Sequence, residues 1–451
     1  MKKQMCKFLL VICLFIINNS LIAQSKLPQL TVASNSAQII ARIQNNKGID
    51  ADSVYKLLNN FDSYPNVNKT GTNYSYFFDY AGFGKVPLQV YIPANYNNKY
   101  KSPCIVMLHG AVSQSKFSDI DSTAATDEDI LFDILKKQDY IIIRPLGDGE
   151  KKFDWVVNRF SSWQSQAPNL TYPALNRGLI SLKKILNIDD NRVFALGHSD
   201  GADGALGLAV YTPDAFAGVV AYNAMMLNLS TKDFFIKNIV NRPLYIVHSD
   251  LDDLRSMQQV KDIVSTLKTI DDRILYKEYI GYEHYDKHLT KDLPRALDYI
   301  KGISRNPYQA NLNWETSTDT IFNGCNWLKI TKADTTKARA HWQTDFNVKA
   351  YDRKAKKYYD MLYYRYVTNN VEVKASFQNN IFEIQTSRVG EVEVLISPVM
   401  VNLEQPVIVI LNGKQVFANK IATNKNFLLR NFSTTHDRQA LWVNSLKVKV
   451  E

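Results

Sequence analysis

Gly197-His198-Ser199-Asp200-Gly201 reads G-x-S-x-G, with the apolar run 192–196 before it and a helical pattern from 200 to about 210 after it. A tight strand-to-helix turn of this kind holds a serine in a strained backbone conformation. Glycines on either side let strand and helix approach closely. The helix N-terminus then turns its N–H groups and positive dipole end toward charge developing on an attacked carbonyl oxygen. This is the chemistry of nucleophilic acyl transfer. A serine hydroxyl is a weak nucleophile at neutral pH, so the site needs a base and a group to orient that base.

After such a turn the partners follow in the order serine, acid, histidine. The predicted strand 244–248 runs into Ser249-Asp250-Leu251-Asp252-Asp253. Asp252 is the expected acid, because it lies four residues past His248 in the loop after the strand. Asp250 is closer to the strand and Asp253 is the reserve. The strand 274–280 leads into Gly281-Tyr282-Glu283-His284, and His284 is placed to swing back toward Ser199. His288 sits nearer the final helix and is the weaker candidate. Upstream, strand 104–108 ends in His109-Gly110-Ala111, where glycine permits a turn. The N–H groups of Ala111 and Asp200 are the expected oxyanion donors, with His109 supporting the loop. No Cys/His cluster has zinc-ligand spacing, so no metal is expected, and acyl transfer by these groups needs no cofactor.

These residues need a scaffold that brings strand ends together. From about residue 75, short apolar runs at 86–92, 104–108, 140–144, 192–196, 217–221, 244–248 and 274–280 alternate with amphipathic stretches at 127–137, 174–186, 200–210, 257–267 and 293–300. That alternation indicates α/β architecture, a mostly parallel sheet flanked by helices. Before it, 36–61 reads as two short helices joined at Lys47-Gly48. After 304–307 the pattern becomes alternating, and Asn412-Gly413 after the run 407–411 is a strong hairpin signal. The expected organisation is 1–23 signal peptide, 24–74 helical segment, 75–305 catalytic domain and 306–451 an all-β, sandwich-like accessory domain.

The 451 residues are 45% hydrophobic and 22% charged, with a net charge of +10. Such composition excludes wholesale disorder and collagen-like fibres. The basic residues are scattered and carry no recognition motif, so nucleic-acid binding is not expected. Lys2, Lys3 and Lys7 lead into the apolar run 8–17, and Ala23 precedes Gln24. That is the pattern of a cleaved export signal, giving a secreted or periplasmic protein. No later apolar run reaches the length that spans a bilayer. Cys104 and Cys325 fall in different domains and are expected as free thiols.

Trp155, Phe160 and Trp163 lie on loops near the expected site, where they would stack on an aromatic or sugar group of a substrate or anchor the loop. Met225, Met226 and Leu227 follow strand 217–221 and would line an acyl pocket or join the core. The segment 349–366 interleaves lysine and arginine with tyrosine, as a glycan-binding surface or the solvated face of a strand would.

Strand-His109-Gly110, the segment Asp189-Asp190-Asn191-Arg192-Val193 leading to Gly197-His198-Ser199-Asp200-Gly201, His248-x-x-x-Asp252 and Gly281-x-x-His284 together resemble the α/β-hydrolase superfamily. Over about residues 75–305 the chain is similar to secreted bacterial esterases of the polyhydroxybutyrate-depolymerase and feruloyl-esterase type, and to prolyl-oligopeptidase-like hydrolases. The resemblance implies a serine hydrolase working through an acyl-enzyme on an ester or an acylated small molecule or polymer. A peptidase is the first alternative. A non-catalytic glycan- or envelope-binding protein on the same scaffold is the second. Asp200 stands where many relatives carry a neutral residue, and its carboxylate would disfavour anionic acyl groups unless it points away. The all-β module is similar to sandwiches appended to some secreted hydrolases. All three expected site residues precede 305. A chain ending near Arg305 is therefore expected to keep small-ester chemistry but lose stability or grip on large substrates, with Trp314 or Trp327 at the contact between domains.

Overall fold

The computed structural model describes residues 26–112, 115–121, 129–156, 168–224, 226, 233–352, 355–362 and 369–451. The expected signal peptide, and also Phe160, Trp163, Met225 and Leu227, lie outside them. Among the described residues two helices come first, α1 (Ser36–Asn45) and α2 (Ala51–Asn59). Then follow β1 (Thr72–Tyr80), β2 (Gly84–Ile92), β3 (Ser102–Leu108), α3 (Asp129–Leu135), β4 (Ile141–Pro145), α4 (Thr171–Lys183) and β5 (Ile188–His198). The domain continues with α5 (Asp200–Tyr211), β6 (Gly218–Tyr222), β7 (Leu244–Ser249), α6 (Met257–Leu267), β8 (Leu275–Tyr279) and α7 (His288–Lys301).

β1 to β8 form one sheet in the order β1-β2-β4-β3-β5-β6-β7-β8. β1, β2 and β4 meet antiparallel, and every pair from β4 onward is parallel. The near-continuous apolar runs follow from burial on both faces. Along β3, Cys104, Val106 and Leu108 join a core with α4, α5 and α6, while Ile105 and Met107 join a core with α3 and α7. The parallel strands all point their C-terminal ends to one edge, so the loops after β3, β5, β6, β7 and β8 gather there. Burial pushes the Cys104 thiol up, and Cys104 and Cys325 are both free and buried.

The C-terminal strands are β9 (Asn311–Thr316), β10 (Gly324–Cys325), β11 (Leu328–Ala333), β12 (Asn347–Asp352), β13 (Lys357–Leu362), β14 (Val371–Gln378), β15 (Ile381–Ser387) and β16 (Val389–Ile396). β17 (Val407–Leu411), β18 (Lys414–Asn419), α8 (Lys425–Thr435) and β19 (Asn444–Lys449) complete the chain. Sheets β10-β11-β16-β19 and β18-β17-β15-β14-β9 enclose one apolar core, a sandwich. Asn412 and Gly413, at φ 51° and 83°, make the tight turn between β17 and β18. Trp314 and Trp327 do not mediate the contact between domains. Both are fully buried inside the sandwich, donating to the carbonyls of Phe322 and Gln309. The hairpin β12–β13 leans on α6 instead, where Gln258 Nε2 donates to the Tyr358 hydroxyl at 3.2 Å.

Buried charged side chains are prominent in the contact between domains. Arg438 is 2% exposed and donates to Asp190 Oδ2 at 2.7 Å, to Asn187 Oδ1 at 2.7 Å and to the Ile188 carbonyl. Lys183 reaches the other Asp190 oxygen at 3.0 Å. Arg305 grips both oxygens of Asp437, at 2.7 and 2.8 Å. Nearby, the expected helical segment holds α1 and α2 and packs on the C-terminal module. Val54, Leu58, Phe61 and Tyr64 pack with Leu428, Leu429 and Phe432 of α8, so the chain's two ends share a core.

His436 closes that core, with its ring 5.3 Å from Phe61 and 4.8 Å from Phe432 and both ring nitrogens without a hydrogen-bond partner. Burial lowers its pKa from 6.5 to about 3. Between those values the unfolded chain binds a proton that the folded chain refuses. The contribution of this group is therefore complete above pH 6.5 and is lost as pH falls toward 3. Urea unfolding at pH 7.5 and pH 5 should show stability falling by about 1 kcal/mol per pH unit from this group below pH 6.5. His436→Gln should flatten that slope by about one proton.

Candidate active site

β5 ends at His198 and α5 begins at Asp200, leaving Ser199 alone in the turn with φ 59° and ψ −124°. A non-glycine residue there is strained, and the surroundings must hold it. Ser199 N–H donates to the Tyr222 carbonyl of β6 at 3.0 Å, and its own carbonyl accepts from Ala202 N–H at 3.0 Å. The flanking glycines are required by space. A Cβ at Gly197 would strike the Gly201 carbonyl, and one at Gly201 would strike the carbonyl oxygens of Leu108 and His109.

The structure brings Ser199, His284 and Asp252 together. His284 Nε2 lies 3.0 Å from Ser199 Oγ, and its Nδ1 lies 2.8 Å from Asp252 Oδ2. Asp252 Oδ1 accepts the N–H groups of Leu254 and Arg255, both at 3.0 Å, and Oδ2 also accepts from Asn223 Nδ2 at 2.8 Å. Burial works against the Asp252 carboxylate, but the hydrogen bonds from His284 and Asn223 outweigh it and hold its pKa below the usual range. Asp250 is turned elsewhere, bracing the next loop through the Gly281 N–H at 2.7 Å, and Asp253 is exposed. The imidazole is thus oriented by a buried anion on one side and faces a hydroxyl on the other, as proton transfer from that hydroxyl requires.

Three supporting residues escaped the sequence reading. His198 Nε2 donates to the His284 carbonyl at 2.8 Å, with the two rings 4.7 Å apart. Asn223, at φ 52° just past β6, also donates to Ser249 Oγ at 2.6 Å and accepts from His288 Nε2 at 2.8 Å. Burial lowers His288 to about 4, so it stays neutral and serves this network. The one available signal for Asn223 was its place at the C-terminal end of a parallel strand, where sites of such sheets collect. Arg255 is the third.

On the oxyanion side, the Asp200 N–H stands at the first position of α5, and the loop at His109-Gly110-Ala111 passes beside Gly201. Trp155 does not line a substrate rim. It is fully buried, donates through Nε1 to the His109 carbonyl at 3.0 Å and lies 4.7 Å from the His109 ring. Its place in the fold is a clamp on this loop. Met226 is also buried, and Trp163 and Met225 lie outside the described residues. Among the described residues no group of His, Cys, Asp and Glu has the arrangement of a metal site.

The Esterase family model, described as "Putative esterase", matches residues 84–348, more than half of the chain. The chain belongs to the Esterase family. The sheet order and the serine turn fit the α/β-hydrolase superfamily. Among solved structures, a thermostable esterase is 18% identical, with 52% of this chain and 63% of that chain covered and a TM-score of 0.40. The chain thus spans just under two thirds of that protein's length. Esterase 2 of Thermogutta terrifontis is 12% identical over 52% of this chain and 96% of its own, with a TM-score of 0.40. An S-formylglutathione hydrolase from Agrobacterium tumefaciens is 12% identical over the same shares, with a TM-score of 0.39. No curated protein matches the chain.

Asp200 places a carboxylate one residue from Ser199. That carboxylate is 1% exposed and turned to Arg255, with Nη2 3.3 Å from Oδ1. Among the described residues, no helix is long and apolar enough to cross a membrane. Asn223→Ala should leave Ser249 and His288 without their buried partner and cost about 1–3 kcal/mol of stability. It should also lower kcat by about tenfold through a loosened Asp252, which stopped-flow ester hydrolysis beside a melting curve would measure.

Proposed function

We propose that this chain is an exported serine esterase that cleaves carboxylic esters through an acyl-enzyme. The observation that carries this reading is a hydroxyl 3.0 Å from an imidazole that is held 2.8 Å from a buried carboxylate, with the hydroxyl at a strained strand-to-helix turn. Family membership supplies the substrate class. Ser199 Oγ attacks the ester carbonyl while His284 Nε2 takes its proton. The tetrahedral oxyanion is held by the N–H groups of Asp200 and Ala111. Its collapse expels the alcohol, which takes the proton back from His284. Water then attacks the acyl-serine, its proton passing to His284 and back to Ser199, and the carboxylic acid leaves.

Export rests on Lys2, Lys3 and Lys7, the apolar run 8–17 and Ala23. N-terminal sequencing of the protein recovered outside the cytoplasm should begin at Gln24. The reaction is tested by setting p-nitrophenyl acyl esters of graded chain length beside aminoacyl and dipeptidyl anilides. Turnover of esters at least about 100-fold faster than anilides is expected. Faster cleavage of the anilides would make this a peptidase.

A further inference from the structure

Arg255, in the loop that carries Asp252, ties that loop to the first turn of α5 behind Ser199. Its backbone N–H donates to Asp252 Oδ1 at 3.0 Å, and its carbonyl accepts from His248 Nε2 at 3.2 Å. Its side chain, 2% exposed, turns to the first helical turn after the serine, with Nη2 3.3 Å from Asp200 Oδ1 and Nη1 3.6 Å from Asp203 Oδ2. Asp203 Oδ1 in turn accepts the Met226 N–H in the loop after β6. A third buried carboxylate, Asp154, interacts with Asp200 and with His109, and its pKa is raised by burial first and by Asp200 in addition. The ground beneath the serine turn therefore holds Asp154, Asp200, Asp203, His109 and Arg255.

A buried anion is costly unless paired, and here the consequence is also catalytic. Asp200 supplies a proposed oxyanion N–H while its own carboxylate lies in the same residue. An uncompensated negative charge there would oppose the negative charge that develops on the attacked oxygen, an effect felt in the transition state more than in the bound ester. We propose that Arg255 is a positioning residue of the acyl-transfer site, which draws the Asp200 carboxylate away from the oxyanion and neutralises it. The same residue ties the loop of Asp252 to the helix that carries Ser199. This proposal rests on the esterase reading of Ser199, His284 and Asp252. It explains how Asp200 is tolerated where a neutral residue would need no such partner.

The test uses the full chain in four forms: wild type, Arg255→Met, Arg255→Lys and the pair Arg255→Met with Asp200→Asn. kcat and KM on a short p-nitrophenyl ester are measured per site titrated by a fluorophosphonate, so that unfolded protein does not count. Arg255→Met should lower kcat about 100-fold with KM changed by less than about threefold. Arg255→Lys should keep most of the activity, because an ammonium still neutralises the carboxylate. Asp200→Asn placed in the Arg255→Met chain should recover about tenfold. Should Arg255→Met fail to fold, the lysine variant and the neutral pair carry the comparison. A kcat within about threefold of wild type in Arg255→Met, or a loss that appears only in KM, overturns the proposal. So does a neutral pair no faster than Arg255→Met alone. Full turnover by Ser199→Ala would instead overturn the reading on which the proposal rests.

Discussion

Ser199→Ala should give a folded protein that no fluorophosphonate labels and whose ester turnover is lower by about 10⁴–10⁶. The size follows from the arrangement around one oxygen atom. His284 Nε2 has Ser199 Oγ at 3.0 Å, and the carboxylate behind it is engaged by His284, Asn223 and the Leu254 and Arg255 N–H groups. Removing the hydroxyl leaves the base and its orienting acid in place with nothing to activate. Stability should hardly change. Alanine inherits the same φ of 59°, the N–H bond to the Tyr222 carbonyl is a backbone bond, and the His284 side chain is 15% exposed and can turn to water. Asp252→Asn should follow with a loss of about 10⁴, because an amide nitrogen facing His284 Nδ1 favours the wrong tautomer. Persistent labelling of Ser199→Ala, or a labelled peptide lacking residue 199, would place the nucleophile elsewhere.

The parts of this site legible in the sequence are those fixed by local chain geometry. Gly197 and Gly201 bracket Ser199 where a run with strand character gives way to a helical one, so five residues and their neighbours are enough to announce the turn. Asp252 and His284 each follow a strand of the parallel sheet, and strand ends of such a sheet share an edge. The choice among Asp250, Asp252 and Asp253 is not written in the local sequence, because it depends on which way each carboxylate turns within one loop. Asn223 and Arg255 were invisible for another reason. They act on partners 29 and 55 residues away in sequence, and asparagine and arginine in loops have no period to betray them. Trp314 and Trp327 join the sandwich core instead of the contact between domains, and Trp155 takes the second of its two expected roles, anchoring its loop. A tryptophan in a polar loop or alternating strand serves equally as a platform, an interface or a core residue, and burial alone decides which. α8 went unread because it is one short helix within a β-patterned stretch. The surface it offers, Leu428, Leu429 and Phe432, finds its partner almost 400 residues upstream in α2.

The charged contact between domains changes the outcome expected of truncation. From the sequence, a chain ending near Arg305 keeps small-ester chemistry, since Ser199, Asp252 and His284 all precede it. The structure makes that chain lose its fold first. Cutting there removes Arg438 from buried Asp190, and Asp437 from buried Arg305 and Lys183. It also removes Glu315 and Glu372 from Lys237, which lies 3.0 and 2.6 Å from them. It strips α8 from Val54, Leu58 and Phe61 as well. Breaking one buried ion pair by deleting a single partner costs about 3–5 kcal/mol, and a whole domain is stable by about 5–15 kcal/mol. Removing the module lets water reach the charges left behind, so the apolar face of Val54, Leu58 and Phe61 that loses α8 carries much of the loss. Residues 24–305 should therefore be insoluble or melt without cooperativity, and should lack small-ester activity because the domain itself has failed. Arg438→Met in the full chain isolates one of these contacts. It leaves Asp190 with Lys183 at 3.0 Å and should cost about 3 kcal/mol in urea unfolding, while kcat at 25 °C stays within about twofold, since Arg438 grips residues at the start of β5 and Ser199 follows its end. A truncated chain that melts cooperatively within a few degrees of the full protein would show that the charged seam is dispensable. A large fall in kcat for folded Arg438→Met would show that the seam reaches the serine turn through β5.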